Sequence, residues 1–237
     1  MNLQRIFTKF KKAVDTIQLR SKVSYSQSGE DIIVDYFFES IGISKPTYAD
    51  IGANQPVKGN NTYLFYLKGS RGVCIEPDIS LISTLKQKRP GDLILNLGIS
   101  TSVSAEANFY FFDGIYSAWN TFSKEDADQK MKESGLAYRQ TKVKLETVEN
   151  IINQYQLGHI NFISLDVEGW DLPILQSIDF SRIRPEMICV ETITFSLHNT
   201  MQKNADIINY MLTQGYKVYA DTNLNTLFCR NDIFNRS

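Results

Sequence analysis

The sequence predicts an α/β fold built on a doubly wound, mostly parallel, Rossmann-like sheet. Three observations predict it. Short apolar runs recur and end in an acid: Tyr48-Ala49-Asp50, Val73-Cys74-Ile75-Glu76, residues 160–166 ending in Asp166, and residues 187–191 ending in Glu191. Such runs suit strands buried on both faces. Helical patterns separate them, which is the alternation of a parallel sheet. The last two apolar runs, near residues 216–219 and 227–229, lie close together and predict an antiparallel C-terminal hairpin.

Composition narrows the class. The chain has 237 residues, 43% hydrophobic and 22% charged, which fits one large globular α/β domain. A net charge of −1 argues against a broad nucleic-acid surface. No apolar stretch approaches the roughly 18 residues of a membrane span, and the N-terminus lacks an unbroken apolar signal core. Cys74, Cys189 and Cys229 each fall in a predicted strand without metal spacing. They read as buried small hydrophobes in a reducing cytoplasm.

The elements follow in order. Residues 1–22 form a basic amphipathic helix, with Leu3, Phe7, Phe10, Val14 and Ile17 on one face and Arg5, Lys9, Lys11, Lys12, Arg20 and Lys22 elsewhere. A helix of this kind lies on a membrane surface or docks on its own domain or a second copy, and one short helix binds membranes weakly. The single remaining domain is residues 23–237. Its first helix covers 26–40, with Ser28 as N-cap and Asp31 three residues on. Strands follow at 47–51, 72–76 and 93–96, with helices at 62–68 and 79–88, the latter stopping before Pro90. Residues 100–144 are less regular, with strands at 109–112 and 142–145 around a polar helix at 124–133. A helix at 148–154 precedes the strand at 160–166. A helix at 205–212 ends at Gly215.

The acids at strand ends point to the chemistry. Open α/β sheets bind ligands at the carboxyl ends of their strands. Gly52 after Asp50 permits a tight turn and a close ligand approach. Glu76 lies far enough on to end the next strand and hold a ribose hydroxyl pair. A dinucleotide needs a glycine-rich phosphate loop, but here the loop is Gly52-Ala53-Asn54-Gln55-Pro56. A carboxylate at Asp50 suits a cation, and S-adenosylmethionine carries an ammonium and a sulfonium. Glu30, Asp31, Asp166 and Glu168 are expected near the same cleft. The plainer reading of Asp50 is a turn cap.

A second cluster supplies the acceptor side. Asp166-Val167-Glu168-Gly169-Trp170-Asp171 and Glu191 end neighbouring strands, with His198 beyond. Methyl transfer to a hydroxyl needs alignment and a proton acceptor, so Asp166, Glu168, Glu191 and His198 are the candidate catalytic residues. Asp166 and Glu191 are equally suited to a divalent cation. For Glu168 and Asp171 the competing role is charge at a helix N-terminus.

With these motifs in view, the chain resembles the FkbM-type S-adenosylmethionine-dependent methyltransferases. The resemblance rests on Tyr25-Ser26-Gln27-Ser28-Gly29-Glu30-Asp31, Asp50-Ile51-Gly52-Ala53-Asn54, Ile75-Glu76-Pro77, Asn120-Thr121-Phe122-Ser123 and Leu165-Asp166-Val167-Glu168-Gly169. It implies a seven-stranded class I methyltransferase fold. It implies that Asp50, Gly52 and Ala53 contact the methionine half of S-adenosylmethionine and that Glu76 and Pro77 hold the ribose. It also places Asn96, Gly98 and Ser100 near the adenine, with Gln27, Asn61 and Thr62 touching the cofactor. The implied acceptor is a sugar or nucleotide-linked sugar of the kind built into surface polysaccharide. Tyr110, Tyr116, Trp119, Tyr138 and Trp170 are available to stack on a sugar, and Arg139, Lys142 and Lys144 to meet a diphosphate. The competing functions are an NAD-dependent sugar oxidoreductase, which lacks its phosphate loop here, and a non-catalytic scaffold.

Overall fold

The computed structural model describes residues 22–102, 106–112, 114–167, 169–194 and 202–234. The predicted helix over 1–22 lies, but for Lys22, outside the described residues. The chain opens with helix α1 (Glu30–Ser40) and then alternates: β1 (Tyr48–Ile51), α2 (Tyr63–Leu67), β2 (Gly72–Ile75), α3 (Ile79–Lys88), β3 (Leu93–Leu95). Next come β4 (Gly98–Ile99), β5 (Glu106–Phe111), a 3-10 turn (Gly114–Trp119), α4 (Lys124–Ser134) and β6 (Arg139–Glu146). The alternation then resumes with α5 (Val148–Gln154), β7 (Phe162–Leu165), α6 (Asp171–Ser177) and β8 (Met187–Glu191). The short β9 (Ile193–Thr194) and β10 (Gln202–Lys203), α7 (Ala205–Thr213), β11 (Tyr216–Asp221) and β12 (Asn225–Arg230) complete it.

Seven strands form the main sheet, in the order β11-β12-β8-β7-β1-β2-β3. The pairs β3–β2, β2–β1, β1–β7 and β7–β8 are parallel, while β12 runs antiparallel to both β8 and β11. This is the Rossmann order with a final hairpin strand inserted next to the edge. The central parallel strands β1 and β7 are buried along their length because both faces are covered. On one face Ala49, Ile51, Ile163, Leu165, Ile188 and Val190 pack with Val148, Ile151, Ile174, Leu175, Ile207 and Met211 of α5, α6 and α7. On the other, Tyr48, Phe162 and Cys189 meet Val34, Phe37 and Phe38 of α1 and Phe65 of α2, while Leu81, Ile82 and Leu85 of α3 cover Cys74.

A second, three-stranded sheet, β4-β6-β5, stands beside the main one. It joins the 3-10 turn and α4 in a single insertion between β3 and α5, and this insertion roofs the strand ends.

Several sequence expectations change: β5 covers 106–111 rather than 109–112, and β6 covers 139–146 rather than 142–145. The first helix begins at Glu30, not at residue 26, and Gly29 caps it in a left-handed backbone (φ 91°) with no side-chain bond from Ser28. Ser26 instead bonds Asp31 (2.9 Å) and takes the Gly29 amide (3.0 Å), so residues 24–29 form a hydrogen-bonded lead-in. Helix α6 begins at Asp171, the residue for which charge at a helix N-terminus is the competing role; it is short, contains Pro173 and has no side-chain N-cap. The three cysteines are free thiols, buried in the sheet.

Candidate functional site

The chain runs outward from β1 to β3 and returns at β7, beside β1. Sheet order reverses there, and the carboxyl ends of β1, β2, β7 and β8 surround a cavity of about 470 Å³. The volume is in the range for a nucleoside-sized ligand, roughly 300–1,000 Å³.

Gly52 makes the turn at the cavity floor. Its backbone is left-handed (φ 77°) and its amide donates to Ile75 O at 3.0 Å. A Cβ there would overlap the Asp166 carbonyl oxygen and come 3.0 Å from the carbonyl carbon. The Asp166 amide in turn donates to Ile51 O at 3.0 Å. Only glycine lets the ends of β1 and β7 touch in this way.

Asp50 lines the cavity, but its charge is not free. Its Oδ2 accepts from Thr62 Oγ1 (2.7 Å), Asn60 Nδ2 (2.9 Å) and the Arg89 guanidinium (3.2 Å). Arg89 is fully buried and also holds Asp92 (2.7 Å), which accepts the Tyr48 hydroxyl and the Gly72 amide. Arg89 is shared between two carboxylates, and Asp50 still raises the carboxyls of Glu76 and Asp166, so its charge is felt in the cavity. Thr62 sits behind Asp50 in this network and is absent from the cavity wall.

Glu76 supplies a carboxylate without a cationic partner in its hydrogen bonds. It lies on the wall, 4% exposed, and accepts the Asn54 amide on one oxygen and the Asp78 amide on the other, both at 2.7 Å. Burial pushes its carboxyl up to about 7, against the pull of those two amides, and Asp78 and Asp50 add to the rise.

Asp166 and Glu191, from the ends of β7 and β8, face the same cavity and share a hydrogen bond. A hydrogen bond between two carboxyl groups requires a proton on one of them. Burial pushes Asp166 up to about 6; the bond to Glu191 pulls the other way, and Asp50 adds to the rise. Asp171 does not enter the cavity. Its two oxygens hold the amides of Val167 and Gly169 (both 3.2 Å), and burial pushes it up to about 7.

Of the other expected cofactor residues, Gln27, Ala53, Asn61, Pro77 and Gly98 line the cavity. Asn96 does not: its side chain donates to Glu76 O and Pro77 O (2.9 Å each) and pins the strand exit. Ser100 is buried behind the wall and bonds the Ser102 carbonyl. Glu30 and Asp31 also stand away from it. Glu30 ties the β11–β12 turn through Thr222 (2.6 Å) and Asn225 (3.0 Å), and Asp31 is saturated by Ser24, Ser26 and the Tyr25 amide. Glu168 and His198 lie outside the described residues. Among the described residues no three His, Cys, Asp or Glu side chains converge as a metal site.

The roof comes from the insertion. Phe109, Ser117, Trp119, Asn120, Thr121, Phe122 and Lys130 close the cavity from above. Of these, sequence reasoning singled out Trp119 as a sugar-stacking residue. Trp170 is exposed at the surface instead, and Tyr110 packs against Tyr138. Lys142 and Lys144 are exposed on β6 and pair with Glu106 and Glu146, while Arg139 lies over Phe111; none of the three lines the cavity. Arg89, Asn60, Asn54 and Asp78 were missed: Arg89 meets Asp50 and Asn54 meets Glu76 across more than 20 positions, Asn60 reaches Asp50 across ten, and Asp78 has a local cap partner in Ser80 but a distant one in Asn120.

A Rossmann-type sheet with a glycine floor, an acidic wall and no glycine-rich phosphate loop defines a nucleoside-cofactor enzyme suited to a cationic methyl donor. The family described as the methyltransferase FkbM domain matches residues 50–218. The chain belongs to that family and is a methyltransferase, with S-adenosylmethionine as its cofactor. Its fold is similar to a TehB-like SAM-dependent methyltransferase from Corynebacterium glutamicum, at 12% identity over 97% of this chain and 100% of that chain, TM-score 0.44. It is also similar to the 1,6-didemethyltoxoflavin-N1-methyltransferase of Burkholderia thailandensis (8% identity, 95% and 84% covered, TM-score 0.42). A third is an O-methyltransferase from Bacillus cereus (11% identity, 91% and 85% covered, TM-score 0.40). No curated protein matches the chain in sequence. Among the described residues no helix is long and apolar enough to cross a membrane.

Proposed function

We propose that this methyltransferase acts on a hydroxyl of a sugar or nucleotide-linked sugar, of the kind built into surface polysaccharide. The observation that carries the reading is the Asp166–Glu191 pair on the cavity wall. An alcohol is a weak nucleophile until its proton has somewhere to go, and two carboxyl groups that share one proton leave a carboxylate to accept it. The cofactor supplies the methyl group and a good leaving group, so the chain's own work is alignment and proton removal.

The wall divides accordingly. Gly52, Ala53, Gln27 and Asn61 hold the methionine half of the cofactor, and Glu76 with Pro77 holds the ribose. Trp119 offers an apolar face to the acceptor, while Phe109 and Phe122 pack on each other beside Gly98, on the adenine side. The three buried thiols suit a reducing compartment such as the cytoplasm.

The test is a panel of nucleotide sugars and free sugars with S-adenosylhomocysteine release as the readout. Release on one or more hydroxyl acceptors, lost in Asp166→Asn, is the expected result. Turnover confined to amine or thiol acceptors would refute the reading.

A further inference from the structure

The motif Asn120-Thr121-Phe122-Ser123 lines the cavity through its first three residues, but Asn120 itself has no role in the reaction described above. Its hydrogen bonds suggest one. The carboxylate of Glu76 is the root of two struts that climb from the cofactor wall to the roof. One runs from Glu76 Oε2 to the Asn54 amide (2.7 Å), and the Asn54 side chain accepts the Ser117 hydroxyl (3.2 Å). The other runs from Glu76 Oε1 to the Asp78 amide (2.7 Å), and Asp78 Oδ2 accepts Asn120 Nδ2 (3.1 Å).

Asn120 is 9% exposed and uses both ends of its amide. Its Oδ1 accepts the Phe112 amide at 2.8 Å. The Phe112 ring meets Trp119 edge-on at 5.7 Å, and Trp119 lines the cavity. The neighbouring Thr121 is locked to Tyr110 by two backbone bonds of 2.9 Å. A shift of Asp78 therefore moves Asn120, and with it Phe112, Trp119 and Thr121. Asp78 also caps α3 by accepting the Ser80 amide (2.9 Å), which leaves it little freedom to move alone.

We propose that Asn120 is a positioning residue that keeps the acceptor-side roof in register with the Glu76 shelf, so that filling the cofactor site orders the roof. The inference rests on the reading of Glu76 as a cofactor residue. Two sites joined through one packed, hydrogen-bonded element share a coupling free energy.

The test uses the full chain, calorimetry with S-adenosylhomocysteine, and amide exchange by NMR with Thr121 as reporter. In the wild type, S-adenosylhomocysteine should slow Thr121 exchange by about tenfold, a stabilisation of roughly 1.4 kcal/mol. Asn120→Asp keeps an acceptor for Phe112 and turns the Asp78 contact into carboxylate repulsion. It should bind S-adenosylhomocysteine yet lose the slowing. Asn120→Ala, a second single variant, should lose it too. Combining Asn120→Asp with Asp78→Asn reverses the donor and acceptor and should restore the slowing. A merely structural role would lower stability without this ligand-dependent loss and rescue. Wild-type slowing in both single variants, no slowing in the wild type, or binding without rescue in the exchanged pair would overturn the inference alone. No heat from S-adenosylhomocysteine in the wild type would overturn the cofactor assignment and this inference with it.

Discussion

Replacing Gly52 by alanine tests the geometry on which the cavity floor depends. Two costs are expected. Alanine in the left-handed backbone at φ 77° costs about 1–2 kcal/mol. The methyl group must also displace the Asp166 carbonyl, whose carbon lies 3.0 Å from its ideal position, and overpacking of this kind costs about 1–3 kcal/mol. The sum is about 2–5 kcal/mol of unfolding free energy. Gly135 is the control. It caps α4 with φ 74° and has no atom within 4 Å of an added Cβ, so Gly135→Ala carries only the first cost. Urea unfolding at constant m-value measures both. Equal losses in the two variants would show that β1 and β7 do not approach as described, and the juxtaposition of Gly52 with Asp166 would fall.

Four further outcomes are expected. Glu76→Ala should weaken S-adenosylhomocysteine binding by about 1–3 kcal/mol in calorimetry, through loss of a charged acceptor; unchanged affinity refutes the ribose assignment. Asp166→Asn should cut turnover far more than cofactor affinity, and wild-type kcat/KM should fall toward acid as the Asp166–Glu191 pair, whose Asp166 carboxyl burial raises, takes up its second proton. Stability of the ligand-free chain should decline as pH rises. Glu76 goes from 4.5 to about 7 and Asp171 from 3.8 to about 7, so the folded state holds more protons than the unfolded one between those values. Their contribution is complete below about pH 4 and gone above about pH 7; Glu76 alone accounts for roughly 3 kcal/mol, and Glu76→Gln should flatten the urea-derived profile. Arg89→Met leaves Asp50 and Asp92 buried without their cation and should cost about 3–5 kcal/mol in urea unfolding, with partial recovery when Asp50→Asn is added; a loss below about 1 kcal/mol would refute the buried network.

The main sheet was legible because its strands carry their environment in their composition. The runs around Asp50, Cys74, Ile163 and Val190 are apolar on both faces, and helices bury both faces of the sheet. Helices α3 and α5 and strand β8 match their expected bounds to the residue. The roof was far less legible. Strand β6 has its first four residues exposed and then alternates, and β4 spans two residues, so neither carries the apolar signature of a core strand. Their pairing is set by tertiary contacts, Gly98 with Leu145 and Phe109 with Thr141, which no local pattern encodes.

The site divides along the same line. Acids that end a buried strand could be placed from the sequence, and Asp50, Glu76, Asp166 and Glu191 all reach one cavity. What each acid meets there could not be placed. Glu30 looked like a cleft acid and instead fastens the β11–β12 turn. Arg89 follows Lys86 and Lys88 at the end of α3, where three cations suit a helix C-terminus, yet it alone turns inward. Arg89 answers both Asp50 and Asp92, one cation to two carboxylates, so Asp50, Glu76 and the Asp166–Glu191 pair act together on a cation in the cavity. Glu76 has burial holding it near neutrality, and an arriving positive charge would pull it back toward ionisation. Cofactor binding should therefore release protons near pH 7, and calorimetry in buffers of different ionisation enthalpy measures that number. A value of zero at pH 6.5 in the wild type would mean that Glu76 is already charged before the cofactor arrives.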